Sequence, residues 1–169
     1  MCGARAGAAS MTLPRSNPTI VIDSREQRPY SFAAEVAGSV RKALPAGDYS
    51  LEGQETVVAI ERKAMADFIS TVIHARDRFL RELAVLRRYR YAWIVVEGSL
   101  DDLLRGRYQS RATPQALLGL TMLIMVRYGV PVLFAHDRPC ARALVEALLL
   151  HCHAALTTGK DDDHDFTRD

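Results

Sequence analysis

Apolar residues occur in two kinds of pattern along this chain. Residues 19–23 (TIVID), 56–61 (TVVAIE) and 91–97 (YAWIVVE) are short runs rich in β-branched and aromatic side chains, which is typical of buried strands. Between the second and third runs, over residues 64–89, apolar residues instead recur at spacings of three and four. This period predicts one long helix, or two helices with a break near the sequence HARD.

The rest of the chain continues the alternation of strands and helices. Thr113 followed by Pro114 predicts the N-cap and first residue of a helix that ends at Tyr128, before Gly129. Four further elements are predicted: a short helix at 33–42, a short strand at 48–51, a strand at 130–135 and a helix at 139–156. Strands separated by helices predict a three-layer α/β fold, in which a central mixed β-sheet is flanked by helices on both faces.

The length of 169 residues and the hydrophobic content of 49% suit one domain with a substantial core. We expect a disordered N-terminal segment at 1–18, a folded domain at 19–157 and a disordered acidic tail at 158–169. The start of the chain has no apolar stretch long enough for a signal peptide. The most apolar window, 116–126, is too short to span a bilayer, which takes about 20 residues, so no membrane partner is expected.

The three cysteines are an odd number without a CxxC spacing, which argues against a disulfide framework or a zinc site. Cys152 lies between His151 and His153, but adjacent residues point in different directions around a helix. This use of cysteine predicts a cytoplasmic protein, associated with the nucleoid if the source is prokaryotic.

Charged residues follow two of the predicted strand segments. Asp48 and Glu61 lie on neighbouring segments separated by a turn, so their side chains can converge at one sheet edge. Two converging carboxylates repel each other unless a divalent cation neutralises them, and Mg²⁺ prefers carboxylate oxygens. Lys63 shares a face with Glu61, because strand side chains repeat every second residue. The sequence thus predicts two acids and a lysine around a metal.

This trio suits phosphodiester hydrolysis. The metal would lower the pKa of a bound water and polarise the phosphoryl oxygen, while Lys63 orients the water or stabilises charge in the transition state. The alternative is an exposed ion pair between Glu61 and Arg62 at a strand end. Only three of the 22 basic residues are lysines, so a lysine at this position favours the catalytic interpretation.

Three motifs in order then resemble a known family. IDSRE at 22–26, GDY at 47–49 and ERKAMAD at 61–67 are similar to the nuclease motif of the XPF-type structure-specific endonucleases. That family belongs to the PD-(D/E)XK, restriction-endonuclease-like group, and the resemblance covers roughly residues 19–156.

The resemblance implies a restriction-endonuclease-like fold and a site for Mg²⁺ or Mn²⁺. The implied metal ligands are Asp48, Glu61 and the backbone carbonyl of Arg62. The implied catalytic residues also include Lys63, Asp23 and Glu26.

Several neighbouring residues have two interpretations each. Asp67 lies one helical turn after Lys63 and is either a partner of the ammonium or a first-turn acid favoured by the helix dipole. Arg25 either contacts phosphate or pairs with a site carboxylate. The family often has a Gly-Arg pair after its motif, and here Arg76 and Arg78 are alternatives for that arginine. His74, beside them, is expected to be a helix-end residue.

The charge distribution predicts an anionic partner, which the resemblance implies is DNA. Net charge is only +2, but residues 76–111 contain nine arginines and five acids. In the loop at 105–111, arginines can bind phosphates and the tyrosine between them can stack on a base. The alternative is a solvated basic loop. The DNA-binding candidates are Arg62, Arg76, Arg78, Arg105, Arg107, Tyr108 and Arg111.

The last two predicted helices offer more apolar surface than one sheet face should need, and relatives pair through this region. We therefore expect a homodimer or heterodimer, against the alternative that these helices complete the core. The resemblance implies a Mg²⁺-dependent endodeoxyribonuclease acting on branched or flapped DNA in repair or recombination. Its alternatives are a catalytically silent DNA-binding or dimerisation subunit, and a nuclease of phage or defence role that cuts plain DNA.

Overall fold

The computed structural model of the protein describes residues 17–34 and 36–158, which form a six-stranded sheet with helices on both faces. The sheet order is β2-β1-β3-β4-β5-β6. β3 is antiparallel to both of its neighbours and all other pairs are parallel, so the sheet is mixed, as predicted. The strands are β1 (Thr19–Asp23), β2 (Gly38–Lys42), β3 (Tyr49–Leu51), β4 (Val58–Ala64), β5 (Tyr91–Glu97) and β6 (Val132–Phe134).

Five helices cover the sheet. They are α1 (Met65–His74), α2 (Arg76–Leu86), α3 (Leu100–Leu104), α4 (Pro114–Tyr128) and α5 (Arg138–Thr157). The first four contribute to a core on one face, here called the α1–α4 face, and α5 covers the opposite α5 face. The three-layer prediction is confirmed.

The side chains of strand β4 alternate between the two faces of the sheet. Val58 and Ile60 enter the core on the α5 face, whereas Ala59 enters the core on the α1–α4 face. The strand continues in register with β5 as far as Ala64. Its alternation therefore places Glu61 and Lys63 on the α1–α4 face and Arg62 on the α5 face.

The predicted helix at 33–42 is wrong, because residues 38–42 form the edge strand β2. A turn precedes it, in which the Ala37 N–H donates to the Ala33 carbonyl at 3.0 Å. All five residues of β2 are exposed, so the strand has no buried face. An alternating pattern requires one buried face, which explains why the sequence gives no strand signal there.

The other elements lie close to their predicted positions. The helical pattern at 64–89 is divided at Ala75 into α1 and α2, as the HARD sequence predicted. Thr113 caps α4, and Gly129 ends it in the left-handed conformation with φ 66°. The short helix α3, capped by Ser99, was not predicted. Disorder was expected at 1–18 and 158–169, and of these segments residues 1–16 and 159–169 lie outside the described residues.

Within the part of the chain that the structure describes, α5 is the one helix long and apolar enough to cross a membrane. Its buried stripe packs against the sheet. The stripe consists of Ala141, Val145, Leu149 and Cys152.

Candidate active site

The turn formed by Gly47 and Asp48 before β3 places the Asp48 carboxylate next to β4. Gly47 has φ +74°, and a Cβ built there would lie 3.0 Å from the Ile60 carbonyl oxygen, so a side chain would crowd the strand. The Asp48 N–H donates to the Ile60 carbonyl at 2.8 Å. In return, the Arg62 N–H donates to Asp48 Oδ2 at 2.7 Å. These two bonds fix the Asp48 carboxylate beside Glu61.

Asp48 and Glu61, together with Asp23, line a cavity of about 310 Å³, here called the carboxylate cavity. Burial, and then repulsion from Glu61, raises the pKa of Asp48 to about 7. A divalent cation would relieve this conflict, because it neutralises both carboxylates. The pair therefore has the chemistry of a cation site.

Mg²⁺ commonly binds through one or two carboxylates and keeps several waters. Among the described residues, no group of three or more His, Cys, Asp or Glu side chains is arranged to hold a metal ion. A cation at Asp48 and Glu61 would thus complete its coordination with backbone oxygen, solvent or substrate. With those additional oxygen ligands, the two carboxylates fit Mg²⁺ or Mn²⁺.

Lys63 lies beside these acids in an adjacent cavity of about 340 Å³, here called the lysine cavity. Its Nζ is 2.9 Å from Glu61 Oε1 and 5.6 Å from the centre of the Phe79 ring. Burial disfavours the ammonium, but attraction to Glu61 outweighs it and raises the pKa of Lys63. Beside Glu61, Lys63 is therefore a charged hydrogen-bond donor.

Asp23 ends β1 on the same face, where Arg25 occupies its oxygens. The Arg25 N–H, Nε and Nη2 donate to it at 2.7, 2.9 and 2.8 Å, and the Leu44 N–H donates at 2.8 Å. The hydrogen bonds from Arg25 lower the pKa of Asp23 to about 2, although its burial opposes this shift. Of the two interpretations of Arg25, the structure shows pairing with a site carboxylate.

The side chains of Glu26 and Arg62 pair with each other behind the two carboxylates. Arg62 Nε is 3.1 Å from Glu26 Oε2, and its Nη1 is 3.0 Å from Glu97 Oε2. The Arg62 side chain is 11% exposed. The structure therefore places this side chain in ion pairs with Glu26 and Glu97. Glu26 is a partner of Arg62 and does not line the carboxylate cavity.

Arg76 and Arg78, the two candidates for the arginine of the family motif, both lie on α2 but border different cavities. Arg78 lines both the carboxylate cavity and the lysine cavity, as does Glu82, and their side chains pair at 3.0 Å. Arg76 instead borders a small apolar groove between α2 and α4. The geometry favours Arg78 as the arginine available to a phosphate near the carboxylates.

Asp67 and His74 have more peripheral positions on α1. Asp67 is exposed and lines the lysine cavity, but the hydrogen bond of the Lys63 ammonium is to Glu61. It lies in the first turn of α1, consistent with the helix-dipole interpretation. His74 is exposed and ends α1, as expected.

The basic loop after α3 is partly neutralised by acids of that helix. Arg105 Nε is 2.7 Å from Asp101, and Arg107 is 3.4 Å from Asp101 and 3.3 Å from Asp102. The Tyr108 hydroxyl donates to the Ala112 carbonyl at 2.8 Å, and its ring packs against the core. Arg105 and Arg107 of the loop are therefore paired with acids of α3, and the tyrosine ring is partly buried.

Four residues at or behind the site were not predicted. Glu97 ends β5 with an acid, as Asp23 ends β1, and this similarity was an available signal. Glu82 had no such signal, because its position depends on the angle between α1 and α2. Tyr30 and Arg138 contact Glu97 from distant parts of the sequence.

Comparison with known proteins assigns the region that contains these site residues to a known family. The model of the ERCC4 domain family matches residues 22–148. The protein MJ1505 of Methanocaldococcus jannaschii, named as an ATP-dependent RNA helicase, is 28% identical over 125 residues. The matched region is 74% of this chain but only 14% of MJ1505.

Solved structures give the same result. XPF from Aeropyrum pernix has a TM-score of 0.61 at 24% identity, covering 85% of this chain and 66% of that chain. Its complex with DNA has a TM-score of 0.61 at 26% identity, covering 84% and 66%. The present chain thus spans slightly less than two thirds of the XPF chain.

Proposed function

Because the chain belongs to the ERCC4 domain family and has the fold of an XPF-type nuclease domain, we propose that it is a metal-dependent endonuclease that hydrolyses phosphodiester bonds in DNA. The observation that carries this proposal is the convergence of Asp48, Glu61 and Lys63 on one face of the sheet, at two adjoining cavities. The alternative of an exposed ion pair at the end of the strand does not explain why Lys63 is only 12% exposed or why a second carboxylate, Asp48, lies beside Glu61.

Asp48 and Glu61 would hold the cation, which is Mg²⁺ or Mn²⁺. When bound, it supplies the positive charge that acidifies a water and polarises a phosphoryl oxygen. Glu61 holds the Lys63 ammonium at 2.9 Å, so this donor is in place to orient the water or to stabilise charge on the phosphoryl oxygens. Arg78, 80% exposed, is available to a neighbouring phosphate once it leaves Glu82.

For the substrate we propose branched or flapped DNA, cut during repair or recombination. The related XPF was solved in a complex with DNA, which supports a DNA partner. The proposed assembly is a dimer through the C-terminal helices, and its support is the apolar surface that Met122, Met125 and Val126 expose on α4.

Cleavage of end-labelled flap, fork, duplex and single-stranded DNA, each with Mg²⁺, Mn²⁺ or EDTA, tests this proposal. We expect cutting with either metal, none with EDTA, and a preference for flap or fork. Equal cutting of plain duplex would support the phage or defence alternative. DNA binding without any cutting would support the silent-subunit alternative and contradict the proposed activity.

A further inference from the structure

The Arg62 side chain belongs to a row of alternating charges on the α5 face. It lies between Glu26 and Glu97, at 3.1 and 3.0 Å. Glu97 Oε1 in turn accepts hydrogen bonds from Arg138 Nη1 at 2.8 Å and from the Tyr30 hydroxyl at 2.7 Å. Arg138 also donates to the Arg28 carbonyl at 2.7 Å. The row therefore ties β4 to β5, to the start of α5 and to the loop after β1.

The centre of this row is shielded from water. Exposure is 11% for Arg62, 6% for Glu26 and 13% for Glu97. Among the described residues, no buried side-chain N or O atom lacks a hydrogen-bond partner. Burial of paired charges contributes little to stability on balance, but their satisfied hydrogen bonds specify one geometry. The row thus fixes the orientation of residue 62 from behind the sheet.

The backbone of the same residue is bonded to the proposed site, and Arg62 also lines the lysine cavity. Its N–H donates to Asp48 Oδ2 at 2.7 Å, and its sequence neighbours are Glu61 and Lys63. A rotation of residue 62 would therefore disturb all three proposed catalytic groups together. Arg62 thus links the charged row on the α5 face, through its side chain, to Asp48, through its amide.

We propose, on the basis of the proposed function, that Arg62 is a positioning residue. Its guanidinium, held by Glu26 and Glu97, orients the amide that fixes Asp48 and thereby sets the geometry of the metal-binding carboxylates. It contacts neither DNA nor the reacting phosphate.

The test compares full-length wild type with Arg62→Met and Glu97→Gln. Glu97→Gln keeps the side-chain shape and serves if Arg62→Met fails to fold. Arg142→Met is the matched control, because it removes an ion pair with Glu146 on α5 outside the row. Mn²⁺ affinity is measured by calorimetry without DNA, and DNA affinity is measured in EDTA. We expect both row variants to bind Mn²⁺ about 10-fold or more weakly, which is typical of lost support behind metal ligands, with DNA affinity within about twofold.

A second readout needs no metal. Hydrogen exchange of the Arg62 amide should accelerate in Glu97→Gln by about 10-fold or more, since its bond to Asp48 loosens. The Ile94 amide, which donates to the Pro131 carbonyl at 2.9 Å, should be unchanged. Equal acceleration at both amides would indicate general destabilisation and overturn the proposal.

The outcomes separate this inference from the proposed function. A wild type that binds no Mn²⁺ would contradict the metal-dependent function, while amide exchange would still decide the positioning role. Mn²⁺ affinity unchanged in both row variants would overturn positioning alone. A loss of DNA affinity as large as the loss of Mn²⁺ affinity would instead identify a phosphate contact.

Discussion

The burial of Asp48 beside Glu61, which suits it to bind a cation, also destabilises its charged form when no cation is bound. Burial and the nearby Glu61 raise its pKa to about 7, whereas an aspartate in the unfolded chain has a pKa near 3.8. A carboxyl with a raised pKa stabilises the fold fully below its unfolded pKa, and this stabilisation is lost as the pH rises through the folded pKa. The metal-free protein should therefore lose stability between about pH 4 and pH 7 at this residue.

Asp48→Asn should consequently stabilise the protein in EDTA at pH 8. The amide keeps an acceptor for the Arg62 N–H but removes the repulsion with Glu61. We expect a gain on the order of 2 kcal/mol in the free energy of unfolding, shrinking toward zero near pH 4. Thermal unfolding at both pH values measures it, with Glu52→Gln as an exposed control. A less stable Asp48→Asn protein at pH 8 would show that the two carboxylates do not repel.

Arg78 and Arg76 offer a second comparison of single residues. Arg78 borders both cavities while Arg76 borders an apolar groove, and both are exposed. Arg78→Ala should weaken DNA binding in EDTA and lower the magnitude of the log–log salt slope by about 0.9, as expected for one lost phosphate contact. Arg76→Ala should leave the slope unchanged. Equal slopes for the two variants would remove Arg78 from the DNA surface.

At the scale of elements, β4 explains which parts of the site the sequence could predict. Glu61 and Lys63 are two residues apart in a strand, so their shared face follows from strand geometry alone. The partners of Arg62 could not be predicted in this way. Glu26 and Glu97 are brought to it by a loop and by the parallel pairing of β4 with β5, which are non-local features.

The errors in predicted elements also have local causes. β2 has no buried face, so its sequence GSVRK carries no strand period. The helix α3 has only five residues, too few to show a helical period, and the acids at its start neutralise arginines that the sequence left unpaired. In contrast, α4, which has clear start and stop signals, and β5, which is apolar on both faces, were predicted to within one residue.

At the scale of the whole molecule, the apolar surface of α4 is the clearest sign of assembly. Val126 is 85% exposed, Met122 43% and Met125 37%. We expect a dimer by light scattering at micromolar concentration, and a monomer after Met122→Asp combined with Val126→Asp, because buried charges disfavour an apolar interface. Gln115→Asp, on an exposed position of the same helix, should remain dimeric. A monomeric wild type would contradict the proposed dimer.

The central claim is that Asp48, Glu61 and Lys63 form a nuclease site, and single-turnover cleavage tests it most directly. Wild type is compared in Mg²⁺ with Glu61→Gln, Lys63→Met and the control Lys42→Met, whose ammonium pairs with Glu55 and lines neither cavity. We predict that both site variants lose about 100-fold or more in rate, while the control and the DNA affinities are unchanged. Cleavage at the wild-type rate by either site variant would contradict the account.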